Sequence, residues 1–404
     1  MNIQKAEHTI YALRNGVVPN IDLKHLIVGR DNELDACKAA IKVCKDGSGV
    51  VKIIKGEYGS GKSFFLKKIK QDALSQNFVV AKVQIDRSFR FNKLEDFYYH
   101  IMHNLYKQTD INNKSSFDEI FNEWIISLRH SESSKEASSK VANVIKELNA
   151  FNSSFSRAFL AYIRNKIKGK NELANAIISW LSGEKNIPFE LKSQFEVVGN
   201  VDQTNALDFL NAFIKLLTLI GYSGLVIAVD ELELIMNARS DIRKASYTNL
   251  RNIIDLGASG QISNAFFIFA ATPELIDNEE KGLPSYEALY QRVKSNLSSS
   301  KNGIILSLNK PDFHHLSDLT QNVLEIYKTA NPFNFDKSSE TLRNWALFSK
   351  YQDNLDGNSI NLREYLMTLI EILDLLKENP SHPIFKSELK IIADADELRF
   401  VNHF

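Results

Sequence analysis

The sequence predicts an α/β fold built on a parallel sheet. Three observations predict it. Short apolar runs of strand length recur at residues 50–55, 78–85, 225–229, 265–271 and 304–308. Stretches of helical period stand between them, among them 64–76, 245–256 and 286–292. A glycine-rich turn joins the first apolar run to the first of those helices. Strands alternating with helices form βαβ units, which close as parallel sheets and leave the carboxyl ends of the strands free for a ligand.

Taken in order, residues 1–27 read as an N-terminal helical arm. Ile3, Ala6, Ile10 and Leu13 fall on one face, and Gly16 and Pro19 end the helix. Val28-Gly29-Arg30 opens the main body, and the helix after it carries Leu34, Cys37, Ile41 and Cys44. The two cysteines suit that apolar face better than a metal site, and a structural disulfide is not expected.

The stretch that follows carries the strongest chemistry. After the β-branched run 50–55, Gly56-Glu57-Tyr58-Gly59-Ser60-Gly61-Lys62-Ser63 fits G-x-x-x-x-G-K-[ST] with no mismatch. The glycines let backbone N–H groups turn inward around phosphate oxygens with no Cβ in the way. Lys62 has the reach for the β- and γ-phosphates of ATP, and the Ser63 hydroxyl is a Mg²⁺ ligand. The helix that follows points its positive end at the same phosphates. Gly29 and Arg30, at this distance before the loop, could pack beside the adenine; a capped surface helix is the plain alternative.

Residues 225–231, Leu-Val-Ile-Ala-Val-Asp-Glu, put two carboxylates after five apolar residues, the pattern of a buried central strand with a wet end. Asp230 is placed to hold Mg²⁺ through water and Glu231 to polarise an attacking water. Glu233 reads as a supporting or solvated residue. The run 265–271 ends in Thr272-Pro273-Glu274, where the proline stops the strand. Thr272 would sit beside Asp230 if the two strands are neighbours.

The interval from Lys62 to Asp230 is far longer than the ~30 residues a βαβ unit needs, so extra material is inserted at about 108–200. It reads as helical throughout, with Phe117, Ile120, Trp124 and Leu128 on one face and Phe151, Phe155, Phe159 and Tyr162 on another. The serine-rich stretch 130–140 reads as a flexible break. Arg157, Arg164, Lys166, Lys168 and Lys170 form a basic cluster that could touch nucleic-acid phosphates, although a solvated helix face is the default. From Pro311 the pattern is purely helical: Leu316, Leu319, Val323 and Ile326 mark one helix, 342–348 a second, and 361 to about 376 a third. Residues 309–380 thus make a helical lid and 381–404 a tail.

Composition sets limits. The 404-residue chain is 44% hydrophobic, with 49 Lys plus Arg against 49 Asp plus Glu. Nucleic-acid binding would therefore need a local patch. No apolar run approaches the ~18 residues that span a bilayer, and the N-terminus lacks a signal pattern, so the expectation is a cytoplasmic protein with no membrane partner.

The order Val28-Gly29-Arg30, phosphate loop, Asp230-Glu231, Thr272 and a lid bearing Arg363 resembles an AAA+ ATPase of the origin-recognition type. More narrowly, residues 56–63, Gly221-Tyr222-Ser223-Gly224-Leu225 running into Asp230-Glu231-Leu232-Glu233, and Thr272-Pro273-Glu274 with Gly282, Tyr286, Leu289 and Arg292 resemble the ATP-binding proteins of bacteriophage-exclusion (BREX) defence systems. The resemblance covers residues 1 to about 380. It implies an AAA+ core at 28–308, ATP and Mg²⁺ as cofactors, Arg292 as arginine finger or sensor and Arg363 as lid sensor; either arginine could instead be a structural ion pair. It also implies a homo-oligomer, other defence-system proteins as partners, and action on or near DNA. The serine-rich insert matches nothing in the family pattern. ATP hydrolysis is the reading; a nucleotide-gated assembly switch with little turnover is its rival.

Overall fold

In the computed structural model, residues 1–20, 23–86, 89, 91–130, 134–294, 303–309, 311–332 and 362–378 are described. Seven strands make one sheet: β1 (Gly49–Lys55), β2 (Val79–Gln84), β3 (Leu105–Lys107), β4 (Asp110–Ser115), β5 (Leu225–Asp230), β6 (Ala265–Ala271) and β7 (Ile305–Ser307). Their order is β4-β3-β2-β5-β6-β1-β7. The five strands from β2 to β7 in this order run parallel, and β3 and β4 are antiparallel. Every residue of β5 and β6 is buried, as expected of central strands covered on both faces. This is the α/β sheet the alternating pattern predicts.

The described chain forms two compact units. The larger holds Asn32–Lys55 and Ile69–Ser307, and with them the whole sheet. The smaller holds Met1–Asp31, Gly56–Lys68 and the described residues from Leu308 onward. The units are cut differently from the arm, core and lid read from the sequence. The N-terminal arm, the phosphate loop and the C-terminal helices fall in one body.

In the larger unit the described elements between Phe117 and Leu219 are helical, but two features differ from the reading of the sequence. First, β3 and β4 form an antiparallel hairpin where a helix end and the start of a helical insert were expected. The helix there stops at Met102. The reason is in the residues: β4 is Asp-Ile-Asn-Asn-Lys-Ser, with its four central positions exposed, so it carries no alternating apolar signal. An edge strand with charges on it is legible only from its pairing. Second, the helix Ser134–Asn149 takes in residues 134–140 of the stretch 130–140 where a flexible break was expected. Val144 and Leu148 are buried, with Val141 and Ile145 packed against the same core. That stripe at helical spacing outweighs the preference of isolated serines for turns. Residues 131–133 lie outside the described chain.

The insert has an aromatic core. Phe117, Phe121, Phe159, Tyr162 and Phe213 are all within 2% of full burial, with the Phe117 and Phe121 rings 4.4 Å apart. The helix Phe117–Arg129 starts with a capping box, Ser116 Oγ accepting from the Glu119 amide while Glu119 accepts from the Ser116 amide. Trp180 is 1% exposed, packs on Phe195 and Phe209, and donates from Nε1 to the Gly199 carbonyl at 3.1 Å. Trp180→Ala should cost about 3–5 kcal/mol, since it leaves a cavity and takes the indole donor from the Gly199 carbonyl. A thermal melt should fall by roughly 10 °C. A melt unchanged within roughly 2 °C would remove Trp180 from the core that holds the insert together.

Among the described residues of the smaller unit, the helices Ile3–Arg14, Phe313–Ala330 and Leu362–Glu378 pack together. Ala6, Ile10 and Leu13 pack with Leu316, Leu319, Val323, Ile326, Leu366, Leu369, Ile370 and Leu373 in one core, the faces that the periodicity marks. Arg14 donates from Nε and Nη2 to the Asp374 carboxylate at 2.8–3.1 Å, and the Tyr327 hydroxyl donates to the same carboxylate at 2.6 Å. Thr320 and Tyr365 share a buried hydroxyl–hydroxyl bond. The expected helix at 342–348 and the tail 381–404 lie outside the described residues.

Candidate functional site

β1 ends at Lys55, and the chain passes directly into the phosphate loop. Gly59 and Gly61 have φ of +76° and +94°, backbone that an L residue adopts only under strain, so the two glycines are required by the turn itself. A Cβ on Gly56 would strike Ser60 Oγ. The Ser60 amide closes the turn on the Glu57 carbonyl at 3.1 Å. The helix Lys62–Ser75 begins immediately afterwards, and its first turn brings the positive end of the helix dipole to the loop. Lys62 is 8% exposed. Its Nζ donates to the carbonyls of Gly56 at 2.8 Å and Glu57 at 3.1 Å, and stands 5.0 Å from the Tyr58 ring centre. The ammonium is thus curled over its own loop, while Tyr58 is 63% exposed.

Two groups from distant parts of the sequence hold this loop, both within the smaller unit. Arg30, 7% exposed, donates from Nη2 to the Ser60 carbonyl at 3.2 Å and from Nη1 to the Asn309 carbonyl at 2.5 Å. The Leu362 amide, at the start of the last described helix, donates to the Gly59 carbonyl at 3.0 Å. Gly29 lies against the His315 ring. Arg363 is exposed, and its side-chain stem runs along Gly16.

In the larger unit, Asp230 is the last residue of β5 and is 7% exposed; its Oδ1 accepts from the Glu231 amide at 3.1 Å. Glu231 has φ +63° and ψ +38°, a left-handed conformation that costs a non-glycine residue of order 1–3 kcal/mol. Asn77, Phe91, Glu196 and Asn264 share a positive φ, so the strain alone does not single out Glu231. Glu233 is 5% exposed, so it is a buried residue and not a solvated one. β6 lies beside β5 with Val229 level with Phe269, which makes the strands that end in Asp230 and Thr272 neighbours. Thr272 is 3% exposed, and its Oγ1 has no hydrogen-bond partner among the described residues. A buried orphan hydroxyl of this kind has donor and acceptor capacity to give to a ligand or an ordered water.

Arg292, in the helix Glu287–Lys294, pairs with Asp255 at 3.1 Å and also donates to its own helix at the Ala288 carbonyl. Its side chain is 40% exposed. No signal in the sequence points to Asp255, the Asn309 carbonyl or the Leu362 amide, because two of the three are backbone atoms and the third is one acid among many.

Whether ATP and Mg²⁺ suit these residues can be judged on chemistry. The loop offers positive-φ glycines, a helix start and a lysine; Ser60 Oγ is buried with no hydrogen-bond partner among the described residues. That set fits a triphosphate. Among the described residues no group of three or more His, Cys, Asp and Glu side chains could hold a metal unaided. Mg²⁺ takes few protein ligands and keeps phosphate oxygens and waters, so a site for it does not require such a group. Among the described residues no helix is long and apolar enough to cross a membrane.

A family model described as "BREX system ATP-binding protein BrxC/D" matches residues 1–388. No curated protein and no solved structure matches the chain.

Proposed function

The chain belongs to the family of BREX system ATP-binding proteins BrxC/D, and from that premise we propose that it is a cytoplasmic AAA+ ATPase that hydrolyses ATP on or near DNA in defence against phage. The observation that carries the proposal is the phosphate loop, with Gly59 and Gly61 at positive φ and Lys62 at the head of its helix. Residues 56–63 would bind the triphosphate, Ser63 and Asp230 would hold Mg²⁺, and Glu231 would orient the attacking water, with Thr272 as a polar neighbour to it. Magnesium would neutralise developing charge on the phosphates. Gly29 would line the adenine side, and Arg363 would serve as the lid sensor. A DNA contact is supported by Arg157, Arg164, Lys168 and Lys170, which are exposed, whereas Lys166 is engaged by Asp118 at 2.6 Å.

Steady-state ATP turnover with and without duplex DNA tests the reading. Turnover stimulated by DNA supports a motor. Tight ATP binding with no turnover under either condition would favour the nucleotide-gated assembly switch instead.

Arg292 is proposed to act on the ATP of a neighbouring copy in a homo-oligomer. Its pair with Asp255 is solvent-exposed, so leaving it costs only ~0–1 kcal/mol. Arg292→Ala should therefore melt like the wild type and bind ATP normally, yet lose ~10³-fold in rate. Mixing it with Lys62→Ala subunits should restore activity, since one variant keeps an intact loop and the other an intact arginine. No recovery in mixtures that light scattering shows to be co-assembled would assign Arg292 to its own subunit or to the Asp255 pair alone.

A further inference from the structure

We propose that Arg30 is a positioning residue that sets the shape of the phosphate loop, and that its contribution to nucleotide affinity is independent of the base. The inference rests on the reading of residues 56–63 as a triphosphate site. Its substance is a matter of peptide geometry. The Ser60–Gly61 peptide is trans, as are all the described peptides, so its C=O and N–H point in opposite directions. Arg30 holds the Ser60 oxygen, which aims the Gly61 N–H from the opposite edge of the peptide plane, where a phosphate oxygen is received. One residue earlier the Leu362 amide holds the Gly59 oxygen, and the Ser60 amide on that same peptide turns to the Glu57 carbonyl. Two consecutive peptide planes of the loop are therefore oriented by atoms from residues 30 and 362.

Arginine suits this task. The guanidinium is a planar fork with fixed directions, and here its two terminal nitrogens reach two carbonyls, Ser60 and Asn309. An ammonium has one centre and no such fork. Burial at 7% exposure keeps water from competing for either carbonyl. The same burial turns the charged end toward loop backbone, so the residue acts through the loop and not on the base.

The test uses the full chain and isothermal calorimetry with three probes: ATP, GTP and inorganic tripolyphosphate, the last two also as competitors of ATP. Arg30→Ala should weaken all three by a similar factor of about tenfold or more, the scale of a lost hydrogen bond to a charged group. Arg30→Lys should not restore the loss, although it keeps the charge. Hydrogen exchange at the Gly61 amide should quicken in both variants while the exchange of β5 amides stays as in the wild type, a readout that separates a loosened loop from a loosened fold. Three results would overturn the proposal: a loss confined to ATP, which would mean a base contact; full recovery with lysine, which would mean charge alone; or unchanged affinity with unchanged Gly61 exchange. If Arg30→Ala does not fold, the Arg30→Lys affinities and Gly61 exchange decide alone. Failure of the wild type to bind ATP, in contrast, would overturn the functional reading itself and leave Gly61 exchange to judge the brace.

Discussion

Lys62→Ala should bind ATP about 100-fold more weakly than the wild type and melt at nearly the same temperature. The ammonium is the one side-chain cation of residues 56–63, and a hydrogen bond to a charged group is worth up to ~3 kcal/mol, or about two decades in Kd. Its Nζ lies on the Gly56 and Glu57 carbonyls, at the loop whose phosphate oxygens would carry full charge. Folding should persist because position 62 opens the helix Lys62–Ser75, where alanine has the best helix propensity. The turn itself is held by Gly59, Gly61, Arg30 and Leu362, none of which the substitution touches. Calorimetry at constant Mg²⁺ beside a thermal melt checks both halves. Unchanged affinity would take the triphosphate away from this loop. A collapse of the melt would mean that Lys62 is structural, through its bonds to the two carbonyls.

How much of this was legible in the sequence differs from element to element, for physical reasons. The phosphate loop could be read because each requirement is tied to a residue type: glycine where φ is positive, lysine where a cation must reach, serine before the helix runs on. The central strands could be read because burial on both faces forces an unbroken apolar run such as Ala265–Ala271. The edge hairpin could not, since β4 owes its place to pairing and presents polar residues to solvent. Serines 134–139 misled for the opposite reason: local preference pointed to a turn, and packing of Val144 and Leu148 overruled it. The bracing of the loop was also out of reach. Ser60, Gly59, Asn309 and Leu362 take part through backbone atoms, and backbone atoms leave no mark in a sequence. For Arg30 the residue was singled out, but the direction of its side chain, toward two carbonyls, belongs to three-dimensional packing alone. Glu231 shows the same limit. Its place after an apolar strand makes it a candidate, while its left-handed backbone breaks the local preference for glycine or asparagine and appears only in coordinates.

That strained backbone sharpens the expectation for Glu231. Glu231→Gln keeps the length and shape of the side chain but removes the negative charge, so it neither takes a proton nor aligns a water as strongly. ATP should bind as in the wild type, because residues 56–63 are unaltered, and turnover should fall ~10²-fold or more, the range of a lost general base. A second variant separates chemistry from architecture. Glu231→Gly places at φ +63° the residue that adopts it without steric cost. Relief of left-handed strain, ~1–2 kcal/mol, offsets the ~0.5–1 kcal/mol that glycine loses in chain entropy, so this variant should melt no lower than the wild type while turning over as poorly as the glutamine variant. If both variants bind ATP and neither hydrolyses it, the carboxylate acts in the chemistry. If the glycine variant instead melts well below the wild type, Glu231 serves mainly to hold the end of β5, and the acid that activates water must be sought at Asp230 or Glu233. Wild-type turnover in the glutamine variant would give the same answer by rate alone, and single-turnover measurement at saturating ATP is the assay that reads it, since it excludes product release from the comparison.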